Sequence, residues 1–269
     1  MDESLFQSIR SAGFAGSFAL VLALQILSPY RRPRGLTTPS WRQNLPLAIL
    51  NTAVLGLVCG ACLCTAARAA ESHGWGLLRA ADAPPWLATA LTFVALDLTL
   101  WAWHRANHRL GWLWRFHRVH HSDVDFDLTT AVRFHAGELL LSLPAKIAAV
   151  LALGASLPGL LLFEVVFGLF NMFIHGSIRL PAAWEPRLAW VFVIPAAHRR
   201  HHSTHAEQRA GNFGTVFSLW DRAVGTWGGG NSAEPVTTGL PDLEPGARLT
   251  LGRCLVLPFE RGAAGAASG

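Results

Sequence analysis

The chain has 269 residues, of which 51% are hydrophobic and only 14% are charged. Ordinary soluble domains are roughly 25% charged, so this composition, with its apolar residues gathered in blocks, indicates a membrane protein. The net charge of +5 is carried almost wholly by arginines at the ends of those blocks, and Lys146 is the only lysine. That placement is typical of cytoplasmic loops, so we expect no nucleic-acid partner.

Five apolar blocks have close to the ~20 residues that a helix needs to cross a bilayer. They cover approximately residues 9–27, 45–67, 85–103, 139–155 and 157–174. The first block lacks both a basic segment before it and a small-residue cleavage site, so we interpret it as a retained helix. Between the last two blocks, "GASLPG" predicts a tight hairpin turn. The predicted fold is an all-α integral membrane protein with four to five transmembrane helices.

The arginines also predict which ends of these helices face the cytoplasm. "RRPR" and Arg42 crowd the loop after the first block, whereas the loop after the second block holds only Arg68 and Arg79. Because Lys and Arg are enriched in cytoplasmic loops, we expect the N-terminus to lie outside. On this count every group of histidines emerges on the cytoplasmic side, where we expect a helical cap.

The chain after residue 181 is less regular. "RLAWVFVIPAAH" is too short to span a bilayer, and we expect it to lie at the membrane interface or to pack on the bundle. From Gly228 onward the sequence is rich in Gly, Pro and Ala, which predicts a peripheral tail that ends in a disordered "RGAAGAASG". The predicted division is 1–84 for the first transmembrane helices, 85–228 for a histidine-bearing domain and 229–269 for the tail. The cysteines are interpreted as packing residues: Cys59, Cys62, Cys64 and Cys254.

Nine of the twelve histidines form four groups. The groups are His104 and His108; His117, His120 and His121; His175; and His198, His201 and His202. Residues three and four apart on a helix are neighbours on one face, so we expect each H-x-x-H-H motif to point its three imidazoles the same way. Arg199 and Arg200, between those histidines, are expected to face the lipid surface. Imidazole binds Fe, Zn, Cu and Ni, and one zinc takes only four ligands, so nine converging rings predict two metal ions with four or five nitrogens each.

Two polar stripes run along the helices that carry these groups. Asp97 lies on the face of His104, and Glu164 lies on the face of Asn171 and His175. A carboxylate within a membrane helix is costly and often functional. We therefore expect Asp97 and Glu164 to orient ligand imidazoles, with hydrogen bonding between helices as the alternative.

Further polar residues flank the motifs. Asp123 is expected to cap a helix or to support a ligand, and Asn212 to support one. His135 is expected to support a ligand or to contact a lipid head group, with direct metal binding as the alternative. His205 is expected to be solvated or to support a ligand, and His73 is predicted on the opposite side of the membrane with no role.

The order H-x-x-x-H, H-x-x-H-H, lone His and H-x-x-H-H resembles the fatty acid hydroxylase and sterol desaturase superfamily of membrane di-iron enzymes. The resemblance covers roughly residues 97–227 and includes "DLTLWAWHRANH", "LWRFHRVHHSD", "TTAVRFHAGELLLS", "AHRRHHSTHAEQRAGNFG" and "SLWDRAVGTW". It implies that all nine histidines bind two irons in an O2-dependent enzyme that hydroxylates or desaturates a lipid. Some members have a further histidine where this chain has Asn171, so this residue or water is expected at a tenth coordination position. Ala136 stands where many relatives have proline.

The resemblance also implies partners. A lipid substrate would enter from the bilayer, and a separate donor (a ferredoxin, cytochrome or reductase) would supply electrons, because the chain has no G-x-G-x-x-G fingerprint. The lipid can be an acyl, amino-acid, sterol-like or ether lipid, and zinc can replace iron in purified samples. Three rival interpretations are a metal transporter, whose site should lie near the bilayer midplane, a bis-histidine haem protein and a metal-bound structural protein.

Overall fold

A computed structural model describes residues 1–31, 37–58 and 62–260, and these residues form an all-helical fold without β-strands. In chain order the first eight helices are α1 (Glu3–Leu27), α2 (Trp41–Val58), α3 (Cys62–His73), α4 (Leu77–Ala80), α5 (Pro85–Arg109), α6 (Gly111–His121), α7 (Ala136–Leu153) and α8 (Leu157–His175), with a 3-10 turn at Leu128–Val132. Up to residue 260 they are followed by short helices: α9 (Glu185–Ala189), α10 (Pro195–His201), α11 (Ala206–Arg209), α12 (Leu219–Ala223) and α13 (Leu251–Val256), with a 3-10 turn at Leu257–Phe259.

Five stretches of the described chain are long and apolar enough to cross a membrane by length and composition. They are Glu3–Leu27, Trp41–Ala80, Pro85–Arg109, Ala136–Leu153 and Leu157–His175. The second stretch contains α2 to α4 and passes over residues 59–61, which lie outside the described ranges. The predicted all-α class with four to five spans is confirmed at the level of element type and number, and it indicates a multi-pass membrane protein.

The turn between α7 and α8 has the predicted hairpin form. Gly154 ends α7 in the left-handed region, with φ of +71°, which glycine adopts without a steric penalty. A Cβ there would lie 2.5 Å from the carbonyl oxygen of Trp75. Ser156 then caps α8, because its hydroxyl accepts a hydrogen bond from the backbone N–H of Gly159 at 3.1 Å.

The parallel pair α5 and α8 forms the centre of the bundle. The two helices meet near their first turns, where the backbone N–H of Ser156 donates to the hydroxyl of Thr92 at 3.1 Å. Apolar side chains including Leu96, Leu160 and Phe163 fill the core around them. Because α5 and α8 run side by side, their last turns, which carry histidines, end at the same side of the bundle.

The segment after Pro181 packs on that side. Val193 and Ile194, from "RLAWVFVIPAAH", are fully buried, and the N–H of Val193 donates to the carbonyl of Val216 at 3.0 Å. Of the two predicted locations, the structure therefore selects packing on the bundle.

The prediction of a peripheral tail is wrong for residues 229–260. Cys254 and Leu257 are completely buried in a cluster with Trp114 and Val119, and Arg118 forms an ion pair with Asp242. The Gly- and Pro-rich composition concealed the apolar residues because they are widely spaced, so they show no helical period. The predicted disorder of "RGAAGAASG" concerns residues 261–269, which lie outside the described residues, as do Cys59 and residues 32–36. Cys64 and Cys254 are buried free thiols, which agrees with their interpretation as packing residues.

The packing of this C-terminal segment can be tested at Leu257. Its side chain is completely buried, so we expect Leu257→Ala to lower the free energy of unfolding by about 2–5 kcal/mol. Phe259→Ala is the matched control because Phe259, two residues away, is 67% exposed. Thermal unfolding of the two variants in detergent measures the difference. Small and equal shifts would contradict the buried position of the segment.

Candidate metal centre

The nine histidines converge into two neighbouring groups at the end of the bundle where α5 and α8 finish. In each group, one ring nitrogen from every residue lies within 4.8 Å of the others. The five-histidine centre is His104, His108, His117, His121 and His201. The four-histidine centre is His120, His175, His198 and His202. All nine are buried except the half-buried His104.

Each H-x-x-H-H motif is divided between the two centres, so the prediction that its three rings point the same way is wrong. On α6, His117 and His121 belong to the five-histidine centre and His120 to the four-histidine centre. On α10 the assignment is reversed, and His201 alone joins the five-histidine centre. A helix turns by about 100° per residue. The first and last histidines of each motif are four residues apart and therefore differ by about 40° around the helix. The middle histidine, three residues after the first, lies about 60° from the first in the opposite direction. Each helix therefore lies along the boundary between the centres.

Backbone carbonyls hold the outer nitrogen of several rings. The bonds join Nδ1 of His104 to the carbonyl of Phe213 at 2.7 Å, Nδ1 of His201 to that of Gly211 at 2.7 Å, Nδ1 of His175 to that of Asn171 at 2.6 Å and Nδ1 of His120 to that of Arg133 at 3.3 Å. A carbonyl can only accept, so Nδ1 must carry the proton, and Nε2 of the neutral ring keeps a bare lone pair.

These lone pairs face one another across the centres. In two pairs whose outer nitrogens are held by carbonyls, the Nε2 atoms lie 3.0 Å apart: His201 with His104, and His175 with His120. Nε2 of His198 lies at the same distance from Nε2 of His175. Other ring nitrogens are buried without a hydrogen-bond partner: Nε2 of His108 and His117, Nδ1 of His198, and both nitrogens of His121 and His202. Two bare lone pairs at hydrogen-bond distance repel each other unless a cation lies between them, so the donor set fits bound metal.

Burial keeps these rings in the form that binds metal. It lowers the pKa of His201 to about 3, and it also lowers the pKa values of His120, His121, His198 and His202, with a further contribution from the neighbouring imidazoles. The rings are therefore neutral near pH 7, and a neutral imidazole is the state that a metal requires.

Glu138 supports the five-histidine centre and was missed in the sequence. Its carboxylate accepts from Nδ1 of His117 at 2.8 Å and from the amide of Asn107 at 2.9 Å. A carboxylate that accepts the outer N–H of a ligand imidazole fixes the ring and makes it a stronger donor. The signal was present in "RFHAGE", since an acidic residue within an apolar helix is the feature that singled out Asp97 and Glu164.

The prediction that Glu164 orients a ligand imidazole is wrong, and the alternative of a polar contact between helices is confirmed. Its carboxylate lies 3.4 Å from the guanidinium of Arg10, and eleven residues of α8 place it about 16 Å along the axis from His175. The sequence predicted correctly that Glu164 and His175 share a face of α8, but the prediction took no account of how far apart they lie along the helix axis. Helical periodicity fixes the direction of a side chain and not its distance from a site.

Asp97 also does not touch a histidine. It accepts from the indole of Trp220 at 2.7 Å and from the backbone N–H groups of Val216 and Phe217 at 3.3 Å. It thereby holds the segment whose Phe213 carbonyl binds His104. Its support of the centre is indirect, through the backbone.

Asn212 holds the loop that supplies two of the carbonyls. It lies between Gly211 and Phe213 with φ of +60°, a conformation that Asn adopts more readily than most residues. Its amide donates to the carbonyls of Ala197 and Gly229, both at 2.9 Å. The structure thus places Asn212 as a support of the loop rather than of an imidazole.

Asp123 and Asn171 fasten the turn at Leu128–Val132. Asp123 accepts from Ser40 at 2.6 Å, from Asn44 at 2.9 Å and from Thr130 at 2.8 Å. The Asn171 amide donates to the carbonyl of Ala131 at 2.9 Å, and its backbone carbonyl binds His175. Asp123 therefore joins α2 to the turn and acts on the centres through it, whereas Asn171 also holds His175 directly.

The remaining histidines lie outside both centres. His135 caps α7, with Nδ1 accepting from the N–H of Gly137 at 2.9 Å and Nε2 donating to the carbonyl of Leu255 at 3.2 Å. His205 is exposed, and His73 stacks on Trp75. The alternative of direct metal binding by His135 is therefore wrong, because both of its nitrogens are occupied.

Arg199 and Arg200 do not face lipid as expected. Arg199 is 1% exposed, and its guanidinium carbon lies 3.3 Å from the centre of the Tyr30 ring. Arg200 pairs with Glu234 at 3.2 Å. The C-terminal segment, which was predicted to be peripheral, covers the surface that these arginines would otherwise have presented.

The centres open on a largely apolar cavity of about 340 Å³. Its polar end contains five histidines: His104, His117, His120, His175 and His198. Apolar side chains cover most of the remaining wall, among them Phe14, Leu55, Leu100, Trp103 and Phe167. The phenyl ring of Phe134 stacks on His120, with ring centres 4.3 Å apart, and joins the two parts of the wall.

The fold and this site define a helical membrane protein with a buried all-histidine metal centre. The family model described as fatty acid hydroxylase matches residues 89–226, and the chain belongs to that family. This range includes all nine histidines and Glu138.

Similar proteins of known name are lipid-modifying enzymes. The chain is 29% identical to an ornithine lipid hydroxylase of Rhizobium tropici over 51% of its length and 40% of the relative. It is 27% identical to an alkylglycerol monooxygenase of Xenopus tropicalis over 57% of its length and 34% of the relative, and 26% identical to a cholesterol 25-hydroxylase of Rattus norvegicus over 51% and 45%. The matched region thus spans less than half of each of these relatives. No solved structure matches the chain.

The support by Glu138 can be tested against a matched carboxylate. We expect Glu138→Gln to weaken metal binding about 10- to 100-fold, because the carboxylate partner of a ligand imidazole is lost. Glu164→Gln, which removes the other acidic residue of this helical hairpin, should leave metal affinity unchanged. Competition with a chelator, followed by elemental analysis, measures both. Equal losses in the two variants would contradict the specific role of Glu138.

Proposed function

We propose that the protein is a membrane-bound, O2-dependent oxidoreductase that holds two irons and hydroxylates an unactivated C–H bond of a lipid. The observation that carries this proposal is the convergence of nine imidazole lone pairs at one end of an apolar cavity. The names of the relatives, which are hydroxylases and monooxygenases, support the reaction class.

The two centres would each hold one ion. The five-histidine centre and the four-histidine centre together supply nine imidazole nitrogens, and imidazole is a suitable ligand for iron. When bound, the irons supply the activation of O2, and the protein supplies binding, orientation and the exclusion of water. Open coordination positions, with Asn171 or water nearby, would leave room for O2.

The chain's own residues would prepare the site in two ways. The carbonyls of Gly211, Phe213, Asn171 and Arg133 keep the ring protons on the outer nitrogens, away from the reacting centre. The cavity has the volume typical of a site for a small molecule, and its Trp, Phe and Leu side chains suit an alkyl chain that enters from the bilayer. The fixed rings and the apolar cavity together favour a lipid substrate whose oxidised carbon lies beside the histidines.

The electron donor would bind from the cytoplasm. The distribution of arginines favours that side for the histidine end of the bundle, and no dinucleotide fingerprint is present in the sequence. A separate ferredoxin, cytochrome or reductase would therefore supply electrons.

Retention of the metal distinguishes this proposal from transport. A transporter must release its cargo, and its site usually lies near the bilayer midplane. Here the ligands lie at helix ends and in the cap, and carbonyls hold several of the rings in one orientation. Nine nitrogens in two groups also exceed the two axial ligands of a bis-histidine haem.

The reaction can be tested with one ligand from each centre. We expect His120→Ala and His201→Ala to abolish product formation and to lower bound iron, whereas His205→Ala, whose side chain is exposed, should leave both unchanged. Lipid mass spectrometry of cells that carry each variant measures the product. One added oxygen in the wild-type lipid marks a hydroxylase, and the loss of two hydrogens marks a desaturase. Full activity in either ligand variant would contradict the assignment.

The orientation can be tested with reporters at the two ends of the bundle. A reporter fused to the C-terminus should be cytoplasmic, and one inserted at Gly74, beyond α3, should be external, because the histidine end is proposed to face the cytoplasm. Protease access in sealed cells measures both positions. An external C-terminal reporter would contradict the proposed side of the active site.

A further inference from the structure

Lys146 has an unusual position for the only lysine in the chain. It lies ten residues into the membrane-spanning α7, about 15 Å from its start, and its side chain forms part of the wall of the cavity that the histidines share. Charged residues inside transmembrane helices are expensive and generally have a functional role. The rest of the cavity wall is mostly apolar, so the positive charge of Lys146 needs an explanation.

The neighbouring acidic residues already have partners. Glu164 pairs with Arg10 at 3.4 Å, and Oε1 of Glu138 accepts from His117 and Asn107. Lys146 takes part in none of the ion pairs found among the described residues. Lys146 therefore lines the cavity without a direct ion pair to any residue of the described chain.

The geometry directs this charge along the cavity. Side chains on a helix lean toward its N-terminus, and a lysine extends its ammonium well beyond its Cα, so Lys146 reaches toward the histidine end. Ser142 lies one turn closer to that end and Glu138 two turns closer, and both line the same cavity. The rise from Lys146 to Glu138 is about 12 Å. A ligand with one end at Lys146 can therefore extend along the wall to the histidines.

We propose that Lys146 binds an anionic oxygen of the substrate, a carboxylate or a phosphate, and so determines which carbon lies beside the histidines. The inference rests on the proposed function, because it assigns the class of lipid that the same cavity takes. A neutral lipid of equal length lacks the ionic contact and leaves the ammonium without an ion-pair partner in a largely apolar cavity, which is costly in a medium of low polarity.

The test measures binding without turnover. Palmitate, hexadecyl phosphate and hexadecanol have the same chain length and differ in the head group. Their binding to the purified metal-loaded protein in neutral detergent, without O2 or reductant, can be followed by displacement of a fluorescent fatty acid. We expect at least one of the two anions to bind 10-fold or more tightly than hexadecanol, and the stronger anion identifies the head group.

Three variants isolate the charge. Lys146→Met keeps the length of the side chain and should reduce the preference for the anion to within about twofold, whereas Lys146→Arg should retain it. Glu164→Gln should also retain it, since Glu164 pairs with Arg10. Metal content should equal that of the wild type in all three, which establishes that the variants are folded.

Other outcomes would overturn the inference. They are equal binding of all three probes to the wild type, an unchanged preference in Lys146→Met, or its loss in Glu164→Gln. If Lys146→Met fails to load metal, loss of the preference in Lys146→Arg would equally overturn it. Because binding is measured without O2, the result is independent of whether the protein oxidises lipids, which lipid mass spectrometry decides separately.

Discussion

Mutual repulsion between imidazole lone pairs is the constraint on which the rest of this structure depends. Carbonyl groups hold the outer nitrogens, so the inner nitrogens of rings such as His104 and His201 face each other 3.0 Å apart. In water, protonation would relieve such a contact, but burial lowers the pKa of His201 to about 3 and prevents it. Metal ions remain as the cations that can stabilise the arrangement, so folding around the site and metal binding are coupled.

Many of the buried hydrogen bonds hold the backbone segments whose carbonyls accept from the histidine Nδ1 atoms. Gln25 of α1 accepts from the N–H groups of Leu128 and Ser177, at 3.2 and 2.9 Å, and so joins the 3-10 turn to the chain beyond α8. Arg133 is buried, its guanidinium donates to the carbonyl of Val119 at 3.0 Å, and its own carbonyl holds His120. These contacts bring segments from distant parts of the sequence to the two centres. The C-terminal segment packs on Trp114, whose ring contacts His108 and His121.

The sequence predicted the parts of the site that local geometry decides. Spacings of three and four residues are enough to place histidines on one side of a helix, and their number alone predicts two ions. The angular separation of His120 and His201 from their motif neighbours follows from the helical step, but the position of α6 and α10 along the boundary between the two centres depends on how these helices pack, which no local pattern contains. The same limit explains why Glu138 was missed as a support of His117 and why Glu164 was expected to support a histidine. Both are acidic residues in apolar helices, and only the tertiary fold determines which one reaches a ligand.

In the proposed function the cavity would connect the metal chemistry to the membrane. Its polar end is formed by histidines, several of whose outer nitrogens are held by carbonyls, and its apolar wall is formed largely by residues of the candidate membrane spans. The proposed reaction at the polar end requires two ions at the two centres.

X-ray absorption spectroscopy at the iron edge, together with elemental analysis of protein purified without oxygen from iron-supplied cells, tests that claim most directly. The account predicts two irons per chain, each surrounded by imidazole nitrogens, with a second metal nearby. A single iron per chain, or a first shell dominated by sulfur, would contradict it.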